Sequence, residues 1–186
     1  MKTFPRCTWP KTPLDIQYHD EEWGKPLYDP QKLFEFLILE GAQAGLSWST
    51  ILKRREGYRK AFSHFDPEKI ARYTQSKIEK TLQNEGIIRN RLKVISTVNN
   101  AKAYLEIPNF SAFIWEVVDG KPIINHWKTS RSIPDSTPLS DQFSKKLKKA
   151  GFNFVGSTIC YAFMQAVGMV NDHLISCFCH PTFDKL

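Results

Sequence analysis

Hydrophobic positions along this chain recur mostly with the period of a helix. Phe34, Leu37, Ile38 and Gly41, with Leu33 beside them, follow the i, i+3, i+4, i+7 spacing of an amphipathic helix starting near Gln31. Gly41 and Gly45 bracket a break, and Ser47 is placed to cap a second helix through Trp48, Ile51 and Leu52. Asp66-Pro67-Glu68 has the cap-then-proline form of a helix start, with Ile70 and Tyr73 inside. Further helices are predicted from about Ser76 to Gln83, Asn90 to Leu105, Asp141 to Ala150 and Gly156 to Val167. Strand signals are few: Trp115–Val118 and Ile123–Ile124 alternate, and Pro122 weakens the second. Residues 1–30, rich in proline, aromatics and charge, read as an extended segment bearing ligands, and residues 125–140 as a loop or linker. The pattern describes an all-α chain.

A chain of 186 residues has room for one domain, or two small lobes on one core. It buries enough surface to fold without disulfide staples. Charge is tilted: 26 Lys and Arg against 19 Asp and Glu give +7, which fits an anionic partner without specifying one. No segment reaches the roughly 18 uninterrupted apolar residues of a membrane span. The first residues lack the apolar stretch of a signal peptide, so a soluble, cytoplasmic protein with reduced cysteines is expected.

Two constellations carry chemistry. His173 and Cys177, four apart, share one face of a helix or tight turn, and Cys7 and His19 lie at the other end of the chain. Together they form a Cys2His2 set suited to Zn²⁺, which would clip the two termini; Cys179 and His180 are rival ligands on the same stretch. A buried thiol and a hydrogen-bonded histidine explain the same residues without metal. The second constellation is Leu82–Val94, a glycine-containing turn between two helices. There Gly86 could take a positive φ, Ile87 and Ile88 could anchor the turn, and Arg89, Arg91 and Lys93 flank helix amides able to hold phosphate. An ordinary helical hairpin with solvated charge is the plainer reading.

Five blocks then occur in order: Tyr18-His19-Asp20-Glu21-Glu22-Trp23-Gly24, Leu39 through Trp48, Gly86-Ile87-Ile88-Arg89-Asn90-Arg91, Phe154 through Thr158, and Gln165 through His173. With them the chain resembles the DNA-3-methyladenine glycosylase I family, of the helix-hairpin-helix superfamily, from about Cys7 to Cys177. The resemblance implies an all-α helix-hairpin-helix glycosylase fold in one unit, 1–186, with two helical lobes. It puts the hairpin at about 78–104 and zinc-clipped termini at about 1–30 and 168–186. It implies a monomer that flips 3-methyladenine out of alkylated double-stranded DNA and hydrolyses its N-glycosidic bond. Family zinc ligands map onto Cys7, His19, His173 and Cys177, and base-pocket residues onto Trp9, Tyr18, Glu40 and Trp48. Where the family usually has a tyrosine three residues before Tyr18, this chain has Asp15, which changes one expected wall of the pocket.

The residue types suit that chemistry. A base alkylated at N3 is cationic and already an activated leaving group, so binding and positioning supply most of the catalysis. Trp9, Tyr18 and Trp48 could stack on the base, and Glu40 could accept from its exocyclic amine. Asp119 lies in a turn sequence and no lysine stands out as a Schiff-base nucleophile, which leaves monofunctional hydrolysis; Glu40 is the candidate catalytic residue. Gly45 and Leu46, in the break between helices, are candidates to fill the gap left by a flipped base, though Leu46 could equally be core. Lys53-Arg54-Arg55 and Lys145, Lys146, Lys148 and Lys149 could track DNA or simply be solvated. A non-catalytic zinc-containing DNA-binding protein and a zinc hydrolase are the rival functions.

Overall fold

The computed structural model describes residues 4–183. Ten α-helices lie among them: α1 (Pro13–Glu21), α2 (Pro30–Gln43), α3 (Trp48–Leu52), α4 (Arg55–Ala61) and α5 (Pro67–Ala71). The chain continues through α6 (Gln75–Leu82), α7 (Arg91–Leu105), α8 (Phe110–Trp115), α9 (Pro138–Lys149) and α10 (Ser157–Ala166). Three short 3-10 turns occur at Ser63–Phe65, Glu116–Val118 and Ser130–Ser132. The strands β1 (Ile123–Ile124) and β2 (Val170–Asn171) form a two-residue parallel pair, with Ile123 opposite Val170.

Helix α2 is the centre of the molecule. Asp29 caps it, Pro30 opens it, and every residue from Leu33 to Ala42 is buried. Helices α3, α7, α8 and α10 pack around it, α5 and α6 pack on α7, and α9 packs on α10. A helix buried on all sides cannot show a clean polar face, and Glu35 and Glu40 are taken inside with the aliphatic residues.

Several expectations hold at the residue level. Ser47 caps α3 and Asp66 caps α5, each accepting from the amide three residues on. Ile123–Ile124 is a strand, paired with β2, for which the sequence carried no signal. Others need correction. The 1–30 segment contains α1, nucleated by Thr12 at the N-cap, Pro13 in the first turn and Asp15 completing a capping box. Its buried residues are Asp15, Tyr18 and His19 and none is aliphatic, so hydrophobic periodicity gave no warning. Trp115–Val118 is the end of α8 and a 3-10 turn, not a strand, because Asn109 caps a helix start just upstream.

Gly86 does not take the left-handed φ expected of it. Close approach is what the turn requires: a Cβ on Gly57 of α4 would sit 2.1 Å from the Gly86 carbonyl oxygen, and one on Gly86 would sit 3.0 Å from Gly57 Cα. Helices α6 and α7 therefore flank a turn pressed against α4. There the Ile88 amide donates to Tyr58 Oη at 3.2 Å, Asn84 Oδ1 accepts from the Gly86 amide at 2.8 Å, and Ile87 is buried.

Candidate active site and metal cluster

Between α1, α2, α3, α10 and the 125–140 segment lies an open cavity of about 370 Å³, lined by Trp9, Tyr18, Trp23, Glu40 and Trp48 among others. The aromatic rings interlock. Tyr18 and Trp48 have centroids 5.1 Å apart, Trp9 lies 6.2 Å from Tyr18 and 5.3 Å from Trp23, and Phe36 stacks behind Trp48 at 6.5 Å. Glu40 reaches this space from the last turns of α2, only 4 % exposed. Its Oε2 has no hydrogen-bond partner, and neither do the buried indole nitrogens of Trp9 and Trp48. Burial pushes the Glu40 carboxyl up to about 8. Unpaired polar atoms are costly in a fold, and the gathering of three of them on one cavity suits it to a polar ligand. Burial, with the nearby Glu40 charge, also raises the Tyr18 phenol well above its usual range.

Asp15 does not line this cavity. It is 2 % exposed and turned into the joint between α1 and α3, where its Oδ1 accepts from Ser49 Oγ at 2.7 Å and its Oδ2 from the Thr12 amide at 3.0 Å. The expectation of Asp15 as a pocket wall is corrected: the carboxylate is held by the Thr12 amide it caps and by Ser49, and it is absent from the cavity lining.

The other wall comes from residues that sequence reasoning missed: Ser130, Ile133, Pro134 and Asp135 from the 125–140 segment, and Thr158, Tyr161, Ala162 and Gln165 from α10. The segment that read as a linker is a wall. A signal for α10 was present, since Thr158, Tyr161, Ala162 and Gln165 stand at i, i+3, i+4 and i+7 and so share one face. Behind that face Asp172, fully buried, takes four donors. Asn125 Nδ2 and Trp127 Nε1 bond its Oδ1, and Tyr161 Oη and Gln165 Nε2 bond its Oδ2, each at 2.7 Å.

Next to the cavity, Cys7, His19, His173 and Cys177 are all buried, with their donor atoms within 4.8 Å of one another, and this group could hold a metal ion. His19 comes from α1, Cys7 from the irregular segment before it, and His173 and Cys177 from the segment after β2. His19 Nδ1 donates to Asp20 Oδ1 at 2.7 Å and His173 Nε2 to the Trp23 carbonyl at 3.0 Å, so His19 Nε2 and His173 Nδ1 are the nitrogens left facing the sulfurs. Hydrogen bonds from Cys179, then from Cys7, drive the Cys177 thiol down toward thiolate. Cys179 belongs to a second grouping with His19 and Asp20, while His180 turns away to Asn125 O and Thr182.

The expected DNA-facing residues divide. Gly45 takes φ +78° and leaves Leu46 40 % exposed at the loop tip. Arg91 pairs with Glu79 at 2.6 Å and Arg89 with Glu85 at 3.8 Å, both on the surface at the start of α7. Lys93 is corrected. Its Nζ donates to the carbonyls of Ala42 and Ala44 at 2.8 and 2.7 Å, closing the C-terminal end of α2 and tying α7 to the Leu46 loop. Two other basic residues are structural: Arg55 binds Glu35 and Glu22 at 2.6 and 2.7 Å, and Lys146 pairs with Glu116.

The helical fold thus holds an aromatic slot with a buried carboxyl on its wall. The family model for methyladenine glycosylase matches residues 8–180. The DNA-3-methyladenine glycosylase of Haemophilus influenzae is 54% identical over 179 residues, covering 94% of this chain and 97% of that one. The DNA-3-methyladenine glycosylase 1 of Escherichia coli is 50% identical over 181 residues, covering 95% and 97%. A crystal structure of a 3-methyladenine DNA glycosylase I superposes with TM-score 0.94 at 53% identity, covering 95% of this chain and all (100%) of that one. The Staphylococcus aureus enzyme, solved to show its 3-methyladenine recognition, superposes with TM-score 0.90 at 39% identity, covering 92% and 93%. The chain belongs to the methyladenine glycosylase family.

Proposed function

We propose that this protein is a DNA-3-methyladenine glycosylase that starts base-excision repair, and that it acts as a monofunctional hydrolase. The observation that carries the reading is the unpaired Glu40 Oε2 on a cavity walled by Trp9, Tyr18 and Trp48. In the reaction the extruded base slides between the rings, whose faces favour a flat cation. Glu40 accepts from the exocyclic amine, and the positive charge of the base brings the carboxyl below its resting value near 8, so an ion pair forms only with the damaged base. The C1′–N9 bond then breaks with its electron pair going to the base, which leaves neutral. Water adds to C1′ and its proton passes to solvent. Undamaged adenine brings no charge to offset the desolvated carboxylate, and this discriminates against it.

The hairpin surface with Arg89 and Arg91 and the loop with Gly45 and Leu46 are the elements we assign to DNA, Leu46 filling the space of the flipped nucleotide. Lys93 serves that loop from behind. We further propose that it acts as a monomer on alkylated duplex DNA. No helix among the described residues is long and apolar enough to cross a membrane.

The metal cluster fits Zn²⁺. Tetrahedral zinc with sulfur at about 2.3 Å and nitrogen at about 2.0 Å would set sulfur–nitrogen edges of about 3.5 Å. The edges here are 3.7 Å for Cys7–His173, 3.5 Å for Cys177–His19 and 3.6 Å for Cys177–His173. Asp20 and the Trp23 carbonyl orient the two imidazoles as outer-shell partners do. Bound there, zinc would join the two ends of the chain and hold His19's helix, which also carries Tyr18. Four protein donors leave no place for a reactive water, so its role is structural.

Methylated duplex DNA incubated with the protein should release free 3-methyladenine and leave an abasic, uncut strand. A strand that keeps its 3-methyladenine overturns the reading. Treating the metal-loaded protein with a chelator should lower its melting temperature, and His173→Ala should melt early and show no further response to chelator.

A further inference from the structure

We propose that Asp15 and Ser49 form a brace that sets the width of the aromatic slot, making both of them positioning residues for the damaged base; this rests on the base-excision reading above. Helix α3 has five residues, too few to hold its own shape, so the placement of Trp48 at its first position depends on what grips that turn. One grip is Ser49 Oγ, which donates to Asp15 Oδ1 at 2.7 Å. Asp15 stands one turn before Tyr18 on α1, and the bond therefore ties the turn bearing Trp48 to the turn bearing Tyr18. These are the two rings that meet at 5.1 Å in the slot.

The brace is more than a helix cap. Capping of α1 uses Asp15 Oδ2, which takes the Thr12 amide at 3.0 Å and the Lys11 amide at 3.4 Å, while Oδ1 is given wholly to Ser49. Held from both sides, the carboxylate cannot swing. Burial works to raise its pKa, but the bonds from Ser49 and Thr12 outweigh it, so Asp15 lies below the usual carboxylate value and the contact is charge-assisted. At the position where the resemblance leads one to expect a tyrosine, this chain thus carries no wall but a strut behind two walls.

The test compares Ser49→Ala and Ser49→Thr with Asn109→Ala, which removes the cap of α8, a helix that contributes no residue to the slot. Binding of free 3-methyladenine, read by tryptophan fluorescence, and kcat and KM on methylated duplex DNA are measured together with melting temperature. Ser49→Ala should lose about ten- to a hundredfold in base affinity and kcat/KM, the range expected when a bound group is misplaced by a fraction of an ångström to 1 Å. Ser49→Thr, which keeps the hydroxyl, should restore most of it, and Asn109→Ala should melt as early as Ser49→Ala with normal binding. If Ser49→Ala melts early yet binds and excises like the parent, the brace is only structural and the proposal is overturned. Should Ser49→Ala not fold, Ser49→Val takes its place, compared with Ser49→Thr whose shape it shares without the hydroxyl, and equal base affinity in the two overturns the proposal equally. A parent protein that neither binds nor releases 3-methyladenine would instead overturn the base-excision reading itself.

Discussion

Glu40 and Asp172 are both buried carboxyls beside the same cavity, and the fold treats them in opposite ways. Asp172 is 0 % exposed and meets four donors from four residues, two of which, Tyr161 and Gln165, line the slot. Glu40 is nearly as buried, yet Oε2 meets none and its carboxyl is pushed up to about 8. Saturating a buried acid makes it a clamp; leaving it unsaturated keeps its binding capacity for something else. Asp172 holds one wall and Glu40 waits for the ligand.

The largest effect that separates them is on stability. Asp172→Ala leaves four donors without an acceptor and should cost about 3–5 kcal/mol in chemical denaturation, as breaking a buried charged network does. Glu40→Gln should not cost stability, and a large loss from it would break the contrast. On activity the order reverses: Glu40→Gln should slow 3-methyladenine excision by about a hundredfold or more, the scale of removing one preorganised charged contact.

The pH dependence sharpens this. Glu40 binds its proton up to about pH 8 in the fold but only to about 4.5 when unfolded. Between those values the folded state carries the extra proton, so the contribution of Glu40 falls as pH rises. The stability gap favouring Glu40→Gln should therefore widen from pH 4.5 to 8 and level off above. A constant gap would mean that the carboxyl is not held neutral. The smallest effect concerns the loop between hairpin and slot: Lys93→Met keeps the stem but loses two hydrogen bonds, and should cost about 1 kcal/mol. It should weaken excision from duplex DNA while leaving binding of the free base unchanged.

Much of this was legible along the chain. The caps at Ser47 and Asp66, the all-α class, and the helices on either side of the Gly86 turn follow from local spacing and capping chemistry, which act within a few residues. Trp9, Tyr18, Glu40 and Trp48 were singled out through resemblance, and the structure brings all four to one cavity. Asp15 and Lys93 were misread because each finds its partners, Ser49 at one site and Ala42 and Ala44 at the other, across 34 to 51 positions of chain. The 125–140 wall was hidden for the same reason, its polar residues giving no periodic sign of what they face.

Local sequence by itself determined several helix starts, through caps such as Ser47, Asp66 and Asn90, and which residue types were available for a cationic base and a soft metal, because capping depends on near neighbours. Only the tertiary structure decided which buried acid is satisfied and which is left open. That outcome depends on donors brought together from distant segments, and no spacing along the chain records it.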